Sequence, residues 1–188
     1  MIPDLDLLLA KAKEFHGEVC PGIVLGTRMT MIGMRELGME PLKKNRDLIV
    51  YVEIDRCMSD AVQAITGCTL GHRTLKYLPY GKFAATFINN STQDAVRVSG
   101  VEKKEFRMKG PEEMKAILKS LMEAPEKELF RTEKVRVRIP ERDLPGRPAG
   151  RARCTQCGED ILDGKEVVQD GTTLCRNCAG ISYYKLME

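Results

Sequence analysis

The 188-residue chain contains no tryptophan and only two histidines, and aromatic residues make up 5% of it. Without tryptophan the best stacking platform for single-stranded nucleic acid is missing, which places nucleic-acid binding last among the functions considered. The chain begins Met1-Ile2-Pro3-Asp4, without a basic start and apolar run, and no stretch has the length that spans a bilayer. A cytoplasmic protein with no membrane partner is expected. A phosphate-cradling glycine loop, a dinucleotide fingerprint and a nucleophile elbow are all absent, so no substrate class is announced. With 43% hydrophobic and 30% charged residues, neither disorder nor a membrane protein is indicated.

What the chain does have is cysteine. Seven thiols, an odd number with no export signal, point to reduced cysteines used for metal or catalysis rather than to a disulfide framework. Four of them form two pairs, Cys154-Thr-Gln-Cys157 and Cys175-Arg-Asn-Cys178, with 17 residues between the pairs. That spacing is the signature of a structural zinc site, in which four thiolates close the tetrahedron and leave no open position. Between the pairs, Lys165 to Val168 and Thr172 to Leu174 flank an Asp170-Gly171 turn and predict a hairpin. Ala179 to Met187 is expected to be helical.

The other three thiols surround a second centre. Phe15 to Arg28 reads Phe-His-Gly-Glu-Val-Cys-Pro-Gly-Ile-Val-Leu-Gly-Thr-Arg, with His16 and Cys20 four apart across a glycine. Pro21 suits the first position of a helix, which places Cys20 at its N-cap, where free N–H groups and the positive dipole end favour the thiolate. Cys57 and Cys68 bracket a later helix and stand roughly 15 Å apart if both stay at its ends, so one of them completes the site. Cys57, at the end of a strand, is preferred and Cys68 is the alternative. Asp60 lies nearby as a carboxylate for proton transfer. Thiolate with imidazole suits zinc best, with iron or nickel behind it.

Periodicity supplies the scaffold. Pro3 to Glu14 and Pro21 to about Leu37 read as helices, the second apolar nearly all round in its first turns and marked by Gly22, Gly26 and Gly33, where another backbone can come close. So much apolar surface makes a homodimer interface reasonable. Asp47 to Asp55 reads as a strand, Ser59 as the cap of the following helix, and Lys82 to Asn89 with Ala95 to Val98 as a hairpin. A helix starts at Pro111, and Val135, Val137 and Ile139 alternate with arginines as in a strand. The fold class is therefore an α+β core, with an antiparallel or mixed sheet and helices, over residues 1–139. A Pro/Gly/Arg linker follows at 140–152 and a small treble-clef or ribbon-like zinc domain at 153–188. The net charge of +3 is uneven, because Arg131 to Arg153 holds eight basic and three acidic residues while Cys154 to Glu188 holds three and six.

Three stretches together resemble the FmdE family, named for a component of formylmethanofuran dehydrogenase. They are Phe15 to Arg28, Asp60 to Gly71 with Cys57 ahead of it, and Phe83 to Asn89 followed by Ala95-Val-Arg-Val98. The resemblance implies a metal-binding α+β domain linked to a molybdenum or tungsten oxidoreductase of one-carbon metabolism, including methanogenesis. Glu18 stands where many relatives have a second histidine, and His72 where lysine is usual. The leading expectation is a metal-binding accessory or subunit-like protein, with zinc in the C-terminal module, a second transition metal in the core, and oxidoreductase subunits as partners. A stand-alone zinc- or thiol-dependent enzyme, with Cys20, His16 and Asp60 as catalytic residues, is the alternative.

Overall fold

The computed structural model describes residues 4–101 and 110–187. Pro3, the expected start of the first helix, lies outside them. The chain divides into two units, Met1–Arg138 and Ile139–Glu188.

In the first unit two helices open the chain, α1 (Leu5–His16) and α2 (Pro21–Glu36). Then come β1 (Leu48–Val52), α3 (Cys57–Thr66), β2 (Leu75–Tyr77), β3 (Ala84–Asn89), β4 (Ala95–Gly100), α4 (Pro111–Glu123), α5 (Glu126–Leu129) and β5 (Phe130–Val135). The five strands form one sheet in the order β2-β1-β3-β4-β5, parallel only between β1 and β2. It is a mixed sheet in an α+β domain. Strand β3 is buried from Ala84 to Ile88, as a central strand covered on both faces should be, whereas Arg131 to Lys134 of edge strand β5 are exposed and mostly charged.

The apolar helix α2 finds its cover within its own chain. Ile23, Val24, Met29 and Met34 are fully buried. A Cβ on Gly26 would stand 2.8 Å from the Cα of Met58 in α3, and one on Gly33 would run into the ring of Phe87 in β3. These glycines let α3 and the sheet close on α2, so an uncovered helix no longer supplies a reason for a homodimer.

Several sequence expectations shift. Helix α3 starts at Cys57, and Ser59 is not its cap: the Ser59 hydroxyl donates to the Ile54 carbonyl at 2.6 Å. The strand expected around Val135 to Ile139 ends at Val135, because its partner β4 begins at Ala95, directly opposite, and offers nothing further to pair with. Strand β2 and the short helix α5 carried too few residues for a periodic signal.

In the second unit β6 (Arg151–Arg153) pairs with β7 (Asp160–Leu162), and β8 (Val167–Gln169) with β9 (Thr172–Leu174), all antiparallel. The β8–β9 turn uses Asp170 and Gly171, both with positive φ, as a two-residue hairpin demands. Cys154, Ile161 and Leu174 form a miniature core. The segment read as a linker is held to this unit: Ala149 N–H donates to Asp163 at 3.0 Å, Asp163 N–H to the Gly150 carbonyl at 3.1 Å, and Lys165 pairs with Asp143 at 3.6 Å. The helix expected from Ala179 to Met187 is absent. Gly180 turns left-handed (φ +83°), and Ile181 N–H returns to the Arg176 carbonyl at 2.8 Å, which ends the turn as a C-cap ends a helix. No helix among the described residues is long and apolar enough to cross a membrane.

Candidate metal centres

The core centre lies where one helix ends and two begin. His16 is the last residue of α1, and Gly17 (φ +100°) turns the chain back, its N–H bonded to the Lys13 carbonyl at 2.7 Å. Cys20 is the N-cap of α2; its Sγ accepts the Ile23 N–H at 3.4 Å and Pro21 follows at the first helical position. Cys57 is the first residue of α3. The His16 ring nitrogen and the Sγ atoms of Cys20 and Cys57 lie within 4.8 Å of one another, with His16 Nε2 4.0 Å from Cys20 Sγ. All three are partly exposed.

Asp60 does not point at that cluster as a free carboxylate. Its Oδ2 lies 2.7 Å from Nδ1 of His16, on the far side of the imidazole, and its Oδ1 accepts from Gln63 Nε2 at 3.5 Å. Residue 60 is three past Cys57, so the two share a face of α3. A carboxylate only accepts, so the proton of the neutral imidazole belongs on Nδ1 and the Nε2 lone pair is left on the thiol side. Burial, then the neighbouring Cys20, pushes the Cys57 thiol above its ordinary value. Gly22 sits between the thiols: a Cβ there would lie 2.9 Å from Cys57 Cβ, 3.5 Å from Cys57 Sγ and 3.7 Å from Cys20 Sγ. A zinc tetrahedron with Zn–S of about 2.3 Å and Zn–N of about 2.0 Å separates nitrogen from sulfur by roughly 3.5 Å. The donor set therefore fits after a small inward movement.

The remaining sequence candidates are elsewhere. Cys68 is buried, its Sγ faces the Leu48 carbonyl at 3.6 Å, and burial raises its pKa. His72 is exposed and bonded through Nδ1 to Thr69 Oγ1 at 3.0 Å, and Glu18 is exposed outside the cluster. Gln63, which steadies Asp60, carried no sequence signal because its role exists only once α3 has formed.

In the second unit Cys154, Cys157, Cys175 and Cys178 also have sulfurs within 4.8 Å of one another, Cys157 and Cys175 at 3.9 Å. Tetrahedral zinc thiolates place sulfurs about 3.8 Å apart, so this set fits zinc as it stands. The Cys178 N–H points to Cys175 Sγ at 3.4 Å. Backbone N–H groups of Cys157 and Cys175 hold the Cys154 thiol down to about 6, whereas burial and the other sulfurs push Cys178 up to about 12. Four such sulfurs are stabilised as thiolates only by a cation.

Comparison with known proteins agrees with this division. Residues 15–136 match the family model FmdE, described as molybdenum formylmethanofuran dehydrogenase operon, and residues 147–184 match the prokaryotic dksA/traR C4-type zinc finger. A probable S-adenosyl-L-methionine-binding protein of Archaeoglobus fulgidus is 37% identical over 210 aligned positions, which take in 97% of this chain and 55% of that protein. The chain thus spans about half the length of that relative. The crystal structure of a tungsten formylmethanofuran dehydrogenase FmdE-like protein from Syntrophus aciditrophicus shares the fold, with a TM-score of 0.67 and 24% identity over 96% of this chain and 95% of that one. On the match across most of its length, the chain belongs to the FmdE family and carries a four-cysteine zinc site at its C-terminal end.

Proposed function

We propose that this protein is a metal-binding accessory of one-carbon or related redox metabolism, acting beside a formylmethanofuran dehydrogenase-type oxidoreductase. Its working site is the core centre, a second transition metal, zinc by preference, on His16 Nε2, Cys20 and Cys57. The observation that carries this reading is the 2.7 Å bond between Asp60 and His16 Nδ1. Histidines that ligate metals characteristically give their other nitrogen to a carboxylate, which fixes the tautomer and the ring orientation. A histidine serving only its own hydrogen bond has no need of two thiols on its free side.

Three protein ligands, unlike four, leave a bound metal able to act as a Lewis acid toward a small ligand. The chain's own part is positioning. Asp60 holds the imidazole, the two helix starts hold the thiols, and Gly22 keeps the space between them clear. Asp60 is accordingly a positioning residue, its Oδ2 engaged with His16. The closed zinc module adds no catalytic capacity and serves to present the protein to a partner.

The partial exposure of all three core donors favours a second reading, a stand-alone zinc- or thiol-dependent enzyme. Assaying the isolated full-length protein on formyl and thiol substrates separates the two. The accessory role expects little turnover alone and co-purification with redox subunits; robust turnover alone that His16→Ala abolishes establishes the enzyme.

A further inference from the structure

Two of the three thiols of the first unit meet. Cys20 and Cys57 stand at the starts of different helices, and their sulfurs lie within 4.8 Å of each other. The third, Cys68, is buried against the Leu48 carbonyl. A disulfide needs its sulfurs at about 2.05 Å, so each would move by no more than about 1.4 Å, within the swing of a side chain about its Cα–Cβ bond. The space beside them is open for that swing. Gly22 has no side chain, and the point where its Cβ would stand is 3.5 Å from Cys57 Sγ and 3.7 Å from Cys20 Sγ.

The two metal centres differ in what losing an ion does to the fold. The second unit has only Cys154, Ile161 and Leu174 as its buried core, so its zinc is part of what folds it. In the first unit apolar packing holds the two helix starts. Ile23, Val24 and Met58 are fully buried, and Gly26 lets the backbone of Met58 close on α2. The core metal can therefore leave while α2 and α3 stay in place. Both thiols are also partly exposed, and three ligands leave one side of a bound metal open to a small molecule. The donor set is thus a dithiol that can change state without unfolding its domain.

We propose that Cys20 and Cys57 form a reversible disulfide that releases the core metal, so that the centre is a thiol–disulfide switch. The oxidant is a low-molecular-weight disulfide. One cysteine thiolate attacks a sulfur of that disulfide, forming a mixed disulfide and expelling the first small thiolate. The second cysteine thiolate then attacks the cysteine sulfur of the mixed disulfide, closing the Cys20–Cys57 bond and expelling the second. Two electrons pass from the cysteine pair to the small disulfide, and solvent supplies the two protons of the small thiols. A disulfide sulfur is no longer a thiolate ligand, so His16 alone remains and the metal leaves. A small dithiol reverses both steps. Metal release rests on the proposed core metal, whereas the bond itself does not.

The test treats the full-length chain with 2-hydroxyethyl disulfide in the presence of a chromophoric zinc chelator. Peptide mapping should find a Cys20–Cys57 bond, and the wild-type chain should release one zinc ion more than Cys20→Ser. Cys57→Ser should stop at the mixed disulfide on Cys20. Dithiothreitol, followed by zinc, should restore the original metal content. Failure of the bond to form even in the metal-stripped chain would overturn the switch. So would a bond that forms while the core zinc stays, or oxidation that erases the dispersed amide signals of β1, β3 and β4. Zinc content before oxidation judges the core metal separately: a chain isolated without it refutes that centre, and the peptide map alone then decides the bond.

Discussion

Replacing Gly22 by alanine tests the core centre at its most sensitive point. The new Cβ would lie 2.9 Å from Cys57 Cβ, where an ordinary carbon contact is about 3.5–4.0 Å, so one of the two must retreat by roughly 0.6–1 Å. The same methyl stands 3.5 and 3.7 Å from the sulfurs of Cys57 and Cys20. Metal–ligand distances hold within about 0.2 Å, so a displacement several times larger removes a ligand from reach. Stability moves much less: overpacking costs about 1–3 kcal/mol, and alanine returns up to about 1 kcal/mol through its better helix propensity. The expected result is a folded protein whose core affinity for zinc falls at least about tenfold. The assay is zinc stoichiometry and competition against a chromophoric chelator, with two zinc ions per wild-type chain and one in the variant. Gly33→Ala supplies the contrast. Its methyl would meet the fully buried ring of Phe87, so it should lower the melting temperature and leave the zinc count at two. A Gly22→Ala protein that holds two zinc ions as tightly as wild type would refute the centre.

Asp60→Asn removes the carboxylate that fixes the His16 tautomer and is expected to weaken the core metal by about 10–100-fold without unfolding the domain; unchanged competition with the chelator would refute its positioning role. Stripping zinc from Cys154, Cys157, Cys175 and Cys178 should unfold the second unit, because binding and folding free energy are shared there; dispersed amide signals persisting in residues 151–178 of the chelated protein would contradict this. Arg35 ties α2 to α5 through Glu126 at 2.8 and 2.9 Å and holds the Glu126 carboxyl below its ordinary value. A lowered folded-state pKa makes the contribution complete above the unfolded value of about 4.3 and removes it as pH falls through the lowered one. Both side chains are about two-fifths exposed, so Glu126→Gln should cost only about 0.5–1 kcal/mol at pH 7 in chemical denaturation, and nothing at a pH below both values.

The parts of the fold that were legible in the sequence are those whose signal is local. Cys20-Pro21 announced a helix start because a cap and a proline at the first position are properties of adjacent residues, and Asp170-Gly171 announced a hairpin for the same reason. Partner-dependent features were not legible. Strand β5 begins at Phe130 and stops at Val135 because β4 occupies only the positions opposite, while the arginine alternation that continues to Ile139 has no strand beside it. Helix α2 looked as if it needed a second copy because its apolar surface is visible in the sequence and its cover is not; α3 and Phe87 reach it only across Gly26 and Gly33.

The candidate centre divides along the same line. Four cysteines at zinc-finger spacing are a complete ligand set within one short module, so their convergence could be read from spacing alone. The core set draws His16 and Cys20 from one turn and Cys57 from 37 residues further on; its place after a strand favoured Cys57 in the sequence, and the burial of Cys68 beside Leu48 separates the two in the fold. Asp60 was visible as a carboxylate close to the site, yet its side of the imidazole decides what it does. Facing the cluster it would carry protons, whereas behind Nδ1 it orients the ring. Only the placement of α3 against the end of α1 fixes that choice, and with it the order in which the variants should fail: loss of Cys20 or Cys57 removes a ligand outright, while loss of Asp60 leaves all three donors present and weakens the hold of one.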